Sequence, residues 1–217
     1  MATIYQLNSE NPQGRSIDQI TDALKQGAIM LYPTDTVYAI GCDLNVKSAV
    51  QKVRQIKQLS SDKPLTFLCS SLSHISEYAV VSDEAYRIMK RLIPGPYTFI
   101  LPTTKLVPKL VMSPKRKTTG IRVPDNNICH SLLESLDNPI ISTSAHLPDE
   151  DGEYPSYNWE KARLFDHLEK LVDIIIDNDD DPSLKVSTIL DLSTSEPTVI
   201  RKGLGWETLD NLFSFSS

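Results

Sequence analysis

A single α/β domain, with a twisted mixed β-sheet flanked by helices, is the fold class this sequence predicts. Three observations carry it. Segments of helical and strand period alternate along the 217 residues. The chain has the length of one ordinary domain, and no repeat or long linker divides it, so residues 1–217 read as one unit. Several of the predicted strands end in small hydroxyl or basic residues, and open α/β sheets bind ligands at strand ends.

The elements follow in order. "SIDQITDALKQG" (16–27) predicts a helix, with Ser16 and Gln19 as a capping box, Ile17, Ile20, Ala23 and Leu24 at helical spacing, and Gly27 as its stop. A strand over 28–32 leads into "YPTDTVYAIGCD" (32–43), a turn followed by a second strand from about 37 to 42. Val46, Ala49, Val50, Val53 and Ile56 predict a helix over 46–57, and "PLTFLC" (64–69) reads as a buried strand. "SDEAYRIMKRLI" (82–93) is helical up to Pro94-Gly95-Pro96. Strands are expected at 97–101 and 118–123, a capped helix at 126–136, and a strand at 139–144. Trp159, Ala162, Phe165 and Leu168 predict an amphipathic helix from Ser156 to about Leu171. "VDIIID", "STILDL" and "TVIRKG" complete the sheet, and "WETLDNLF" (206–213) forms a terminal helix.

Composition narrows the setting. The chain is 40% hydrophobic and 23% charged, as expected of a globular protein. No apolar run approaches the ~20 residues of a bilayer span, and "MATIYQLNSENPQ" lacks the pattern of a secretory signal. Cys42, Cys69 and Cys129 have no CxxC spacing and leave one thiol over, which predicts buried free cysteines in a reducing cytoplasm. The net charge of −6 argues against a generic nucleic-acid binder, yet it is unevenly spread. Acids concentrate at 149–153 and 177–181, and bases at 47–63 and 105–122, so an acidic total can hide a concave basic face.

The polar residues at strand ends are Thr34 and Thr36, Ser142, Thr143 and Ser144, Thr118 and Arg122, Ser187 and Thr188, and Arg201. Each alone serves turn chemistry or capping. As a set, hydroxyls with lysine and arginine suit an anion such as phosphate or carboxylate. There is no G-x-x-x-x-G-K-[ST], no complete G-x-G-x-x-G and no G-x-S-x-G. His74, His130, His146 and His167 show no metal-ligand spacing, so no metal is expected on protein side chains; only His146, beside "STSA", stands near the candidate ligand groups.

From about residue 13 to 205 the sequence resembles the YrdC/YciO family, whose best-known members are threonylcarbamoyl-AMP synthases. "YPTDTVYAIGCD" is similar to the family's Pro-Thr-acid-Thr-x-Tyr-Gly-Leu segment. "KQLSSDKPL" (57–65) lies where the family carries Lys-x-Arg-Pro followed by Pro-Leu. "PGPYTFIL" (94–101), "GIRVP" (120–124), "STSAH" (142–146), "STILDL" (187–192) and "VIRKG" (199–203) fall in the family's order. "RKTTGIRVP", with the arginine missing from the lysine motif, is most similar to the YciO branch. Residues 206–217 would be a helix and tail outside the YrdC-like core.

The resemblance implies a nucleotidyltransferase that joins L-threonine and bicarbonate into a carbamate and transfers it to the α-phosphorus of ATP. The product, threonylcarbamoyl-AMP, serves tRNA modification through partner proteins. ATP with Mg²⁺ would be a substrate complex, and no tightly bound cofactor is implied. By resemblance, Thr34, Arg122, Ser142 and Ser187 would hold L-threonine. Lys57, Ser61, Thr118, Ser144 and Arg201 would line ATP, with Lys63 and His146 as additional candidates. Three positions depart from the family: Leu59 for arginine, His146 for asparagine after Ser-x, and Leu68 for the histidine after Pro-Leu. They imply a retained pocket and leave a second function open. That alternative is a non-catalytic or weakly active paralogue binding nucleotide, tRNA or double-stranded RNA, with the basic segment 105–122 as its RNA surface.

Overall fold

The computed structural model describes residues 1–60, 63–146, 161–181, 183 and 185–213. In chain order its elements are β1 (Thr3–Gln6), α1 (Gly14–Lys25), β2 (Met30–Tyr32), β3 (Ala39–Asp43), α2 (Lys47–Ile56), β4 (Thr66–Leu68), α3 (Leu72–Tyr78), α4 (Asp83–Leu92), β5 (Tyr97–Pro102), β6 (Thr118–Arg122), α5 (Asn127–Leu136), β7 (Ile140–Ser144), α6 (Lys161–Leu168), β8 (Ile174–Asp177), β9 (Thr188–Asp191), β10 (Thr198–Arg201) and α7 (Trp206–Phe213). The ten strands form one sheet in the order β1-β8-β2-β3-β7-β4-β6-β5-β9-β10. It is mixed: β8 runs parallel to β1 and β2, β4 to β6, and β5 to β9, while the other neighbours are antiparallel.

Successive strand residues point to opposite faces, and this sorts the core in two. Leu31, Ile40, Cys42, Phe67, Phe99, Ile121, Ile141, Ile175 and Leu190 pack on one face with α2, α3, α4, α6 and Leu209 of α7. Met30, Tyr32, Ala39, Leu68, Ile140, Ile174 and Ile176 pack on the other with Ile17, Ile20 and Leu24 of α1 and Ile128, Leu132, Leu133 and Leu136 of α5. Two helices are too few to cover ten strands. Beyond α1 and α5 no other described helix covers the second face, and its outward positions there turn small and polar: Thr66, Thr98, Ser142 and Ser144.

One sequence expectation fails, and two short elements join those expected. α1 starts at Gly14, before Ser16, and its N-cap Gln13 makes no side-chain cap; the amide of Ser16 already donates to the Gln13 carbonyl at 3.0 Å, so the capping box does not form. Gly27 does end the helix: its φ is +98°, its amide donates to Leu24, and that of Ala28 reaches back to Ala23, a Schellman closure. β1 and the seven-residue α3 were not anticipated. Trp159, the acidic run 149–153 and Ser61 lie outside the described residues. Among the described residues, no helix is long and apolar enough to cross a membrane.

Gly41 of β3 sits under a close approach. A Cβ there would lie 2.5 Å from the carbonyl oxygen of Ile141 and 2.7 Å from Cε1 of Tyr32. Gly41→Ala is expected to lower stability by about 1–3 kcal/mol through overpacking, read as an earlier midpoint in urea unfolding. An unchanged midpoint would mean that neither neighbour is fixed.

Candidate functional site

The open half of the sheet forms a cavity of about 330 Å³. Its walls come from the turn after β2, the loop after α2, and the strands β4, β5, β6, β7, β9 and β10.

The turn 33–37 shows what a run of hydroxyls does before any ligand arrives. The Thr34 hydroxyl donates to the Val37 carbonyl at 2.8 Å and accepts the Thr36 amide at 3.1 Å, so the side chain closes the turn on itself. The Thr36 hydroxyl, 3.1 Å from that of Thr34, accepts from Nη1 of Arg122 at 2.9 Å. Nη2 of Arg122 pairs with Asp35 Oδ1, and Nε reaches the Gly95 carbonyl at 3.4 Å. Both members of this ion pair are nearly buried, their side chains 8% and 10% exposed. Strand β6 supplies the arginine and the turn aims it, so a guanidinium stands fixed at the cavity edge.

A second guanidinium faces it. Arg201 of β10 donates from Nε to the Ser187 carbonyl at 3.0 Å and from Nη2 to the Ser187 hydroxyl at 3.1 Å. That hydroxyl lies 2.9 Å from Thr98 Oγ1. Partial burial of its head group, and then the charge of Arg122, lower the pKa of Arg201. Both groups line the one cavity. Two guanidinium groups with hydroxyls between them, one already paired with Asp35, form a donor-rich site for an anionic ligand.

The third wall is the loop after α2, where Leu59 and Lys63 line the cavity. Leu59 also packs against the larger core. The loop is held by Arg54, a buried residue of α2 whose guanidinium donates to the carbonyls of Ser60, Lys63 (2.8 Å) and Leu110 (3.1 Å). Its charge is therefore committed to backbone and does not replace the arginine absent at position 59.

Of the site residues expected from sequence, the structure brings Thr34, Arg122, Ser142, Ser144, Ser187, Arg201 and Lys63 into the cavity lining. Lys57 is not among the lining residues. It is only 2% exposed, and its ammonium donates to the carbonyls of Ser144, at 2.8 Å, and His146. Burial lowers its pKa to about 8. The lysine ties the end of β7 in place rather than pointing its charge at the cavity. His146 meets Lys57 through its carbonyl, and its ring does not line the cavity. Thr118 shares the face of β6 with Arg122 but lies four residues along the strand, about 13 Å away. In the basic segment, Arg116 is paired with Asp191 at 2.6 Å and with Ser193 at 2.8 Å, so it is not available in full to an RNA backbone. Asp35, Thr66 and Thr98 had no assigned role. Strand alternation would have found Thr66 and Thr98, two positions from Leu68 and one from Phe99. Among the described residues, no group of three or more His, Cys, Asp or Glu side chains is placed to hold a metal.

Comparison with known proteins places this site in a family. The family model described as Sua5_yciO_yrdC, telomere recombination, matches residues 22–203. The uncharacterized protein YciO of Escherichia coli (strain K12) is 40% identical over 205 residues, 94% of this chain and 97% of that protein. The crystal structure of E. coli YciO superimposes with a TM-score of 0.86, covering 94% of this chain and 97% of that one. The threonylcarbamoyl-AMP synthase of Vibrio vulnificus (strain YJ016) is 32% identical over 135 residues, 61% of this chain and 72% of that protein. P. abyssi Sua5, crystallised with L-threonine, shares the fold at a TM-score of 0.85 and 24% identity, over 98% of this chain and 61% of its own. With its cavity formed on the same stretch that the family model spans, the chain belongs to the Sua5/YciO/YrdC family.

Proposed function

We propose that this protein is an L-threonylcarbamoyladenylate synthase-type nucleotidyltransferase, acting on L-threonine, bicarbonate and ATP. The observation that carries the reading is the pair of guanidinium groups, Arg122 and Arg201, facing one hydroxyl-lined cavity. The likeness to a threonylcarbamoyl-AMP synthase supports it. Arg122 clamps the threonine carboxylate, with Thr34, Ser142 and Ser187 beside it. Arg201, Lys63 and Ser144 face the phosphates of ATP, whose Mg²⁺ enters with the nucleotide. Lys57 acts from behind, fixing the strand end that carries Ser144.

The chemistry needs no covalent nucleophile. The threonine amine adds to the bicarbonate carbon and water leaves. A carbamate oxygen then attacks the α-phosphorus, and pyrophosphate departs. Positioning two anions and neutralising charge that grows on the phosphates are the protein's tasks. A cytoplasmic setting fits, since ATP, bicarbonate and the tRNA that a partner protein would modify meet there.

Leu59 favours a second reading. An isobutyl group lines the wall where the family carries arginine, which suits a weakly active or non-catalytic paralogue that binds nucleotide or RNA. Calorimetry with L-threonine and with ATP·Mg²⁺ tests the site itself. Both are expected to bind, and Arg201→Ala is expected to weaken ATP by roughly 1.5–3 kcal/mol, the range for a charge-assisted hydrogen bond. Absence of binding by either ligand would refute the assignment.

A further inference from the structure

Tyr32 ends strand β2, directly before the turn that holds Arg122. It is fully buried, and its hydroxyl makes no hydrogen bond of normal geometry among the described residues, although Ser142 lies close enough to act on it as a hydrogen-bonding neighbour. Such a group costs stability unless something uses it. Its surroundings say what. Tyr32 lies on β2, its ring passes over Gly41 of the neighbouring β3, and Gly41 stands directly across from Ser142 on β7. Tyr32 pairs with Ala39, so it lies two strand spacings of about 4.8 Å and a two-residue offset from Ser142; the ring crosses that diagonal over Gly41, and the tyrosine and serine side chains together reach across it. Only a glycine at 41 leaves room for the ring, so the phenol is directed at the serine. Burial pushes the phenol pKa up, and Ser142 opposes the shift, as a neighbour at that position would. Ser142 itself lines the cavity.

We propose that Tyr32 is a positioning residue for the threonine subsite, acting through Ser142. The phenol, kept protonated at neutral pH by burial, can donate to Ser142 or accept from it; once an acceptor-only ligand takes the serine's hydrogen, only the donating direction is left. When Ser142 accepts the phenol's hydrogen bond, its own hydrogen is turned into the cavity. Ser142 becomes a fixed donor, matched to an acceptor-only oxygen, and the threonine carboxylate held by Arg122 is that oxygen. Without ligand, nothing in the cavity fixes which way the serine hydrogen turns, and the contact between phenol and serine stays loose. Binding completes the chain Tyr32–Ser142–carboxylate, and the hydrogen bonds reinforce one another. The device selects a carboxylate over an amide or alcohol that presents a hydrogen at that point.

This rests on the reading of the cavity as a threonine site, and a double-mutant cycle separates the two. L-Threonine and ATP·Mg²⁺ are titrated by calorimetry into wild type, Tyr32→Phe, Ser142→Ala and the double variant, with thermal melting of each unliganded protein. The expected result is that Tyr32→Phe weakens L-threonine about five-fold, has no further effect in the Ser142→Ala background, and leaves ATP affinity unchanged. Its unliganded melting temperature is expected to equal or exceed that of wild type, since it loses an unsatisfied hydroxyl. A merely structural tyrosine would lower that temperature and leave the ligands unaffected. Wild-type threonine affinity in Tyr32→Phe, or the same loss with and without Ser142, overturns the relay while the threonine site stands. Failure of wild type to bind L-threonine overturns the threonine assignment and the relay with it.

Discussion

Arg122→Ala is expected to abolish measurable L-threonine binding and to lower folding stability by about 3–5 kcal/mol. The two losses have one cause. The guanidinium pairs with Asp35 in a nearly dry contact and also serves Thr36 and Gly95. Asp35 Oδ2 already lacks a partner among the described residues. Removing the cation strands a buried carboxylate, which costs far more than the pair contributes. Urea unfolding reads the stability, and calorimetry reads the binding. The variant Asp35→Asn/Arg122→Ala should regain part of the stability and none of the binding, because a neutral amide tolerates burial but nothing replaces the carboxylate clamp. A loss below about 1 kcal/mol in Arg122→Ala, the scale of a solvent-exposed pair, would mean that the contact is hydrated in solution.

Leu59→Arg is expected to raise threonylcarbamoyl-AMP formation at least several-fold over wild type, with ATP affinity changed little. Leu59 lines the cavity on the side of Lys63, so a longer cationic side chain can reach the phosphates from there. A charge that meets the phosphates as negative charge grows acts on turnover more than on ground-state binding. One well-placed donor is worth on the order of 10²–10³ in rate, which sets an upper bound on the gain. Two effects work against it: Leu59 loses core contact, and a further cation joins Arg122, Arg201 and Lys63. In the Leu59→Arg background, Thr34→Ala should raise the threonine requirement while ATP binding stays nearly intact. Slower adenylate formation by Leu59→Arg than by an active wild type would show that the loop follows another design from the family's.

Much of this architecture was legible in the sequence. Periodicity located nearly every strand and helix, because the apolar alternation that forms the two core layers is local. The edge strand β1 was not legible: four residues, mostly exposed, become a strand only because β8 lies beside them. α3 has seven residues and a cap on Ser71, too short a segment for a periodic signal. The capping box at Ser16 failed because chain entry at Gln13 begins the helix a turn earlier. Within the site, the strand-end hydroxyls and arginines were visible as residues, but their directions were not. Lys57 meets the carbonyl of Ser144, 87 residues away, and no local pattern encodes that. Arg54 likewise reads as an ordinary helix-face cation until the loop that it holds has folded around it.

The most direct measurement is of the reaction itself. Purified protein is incubated with ATP·Mg²⁺, L-threonine and radiolabelled bicarbonate, and the products are separated by chromatography. The expected result is a labelled adenylate and pyrophosphate in equal amounts, requiring all three substrates, slow in wild type and faster in Leu59→Arg. Binding of ATP and L-threonine without labelled adenylate from either protein would contradict a synthase and leave a nucleotide-binding member of the family.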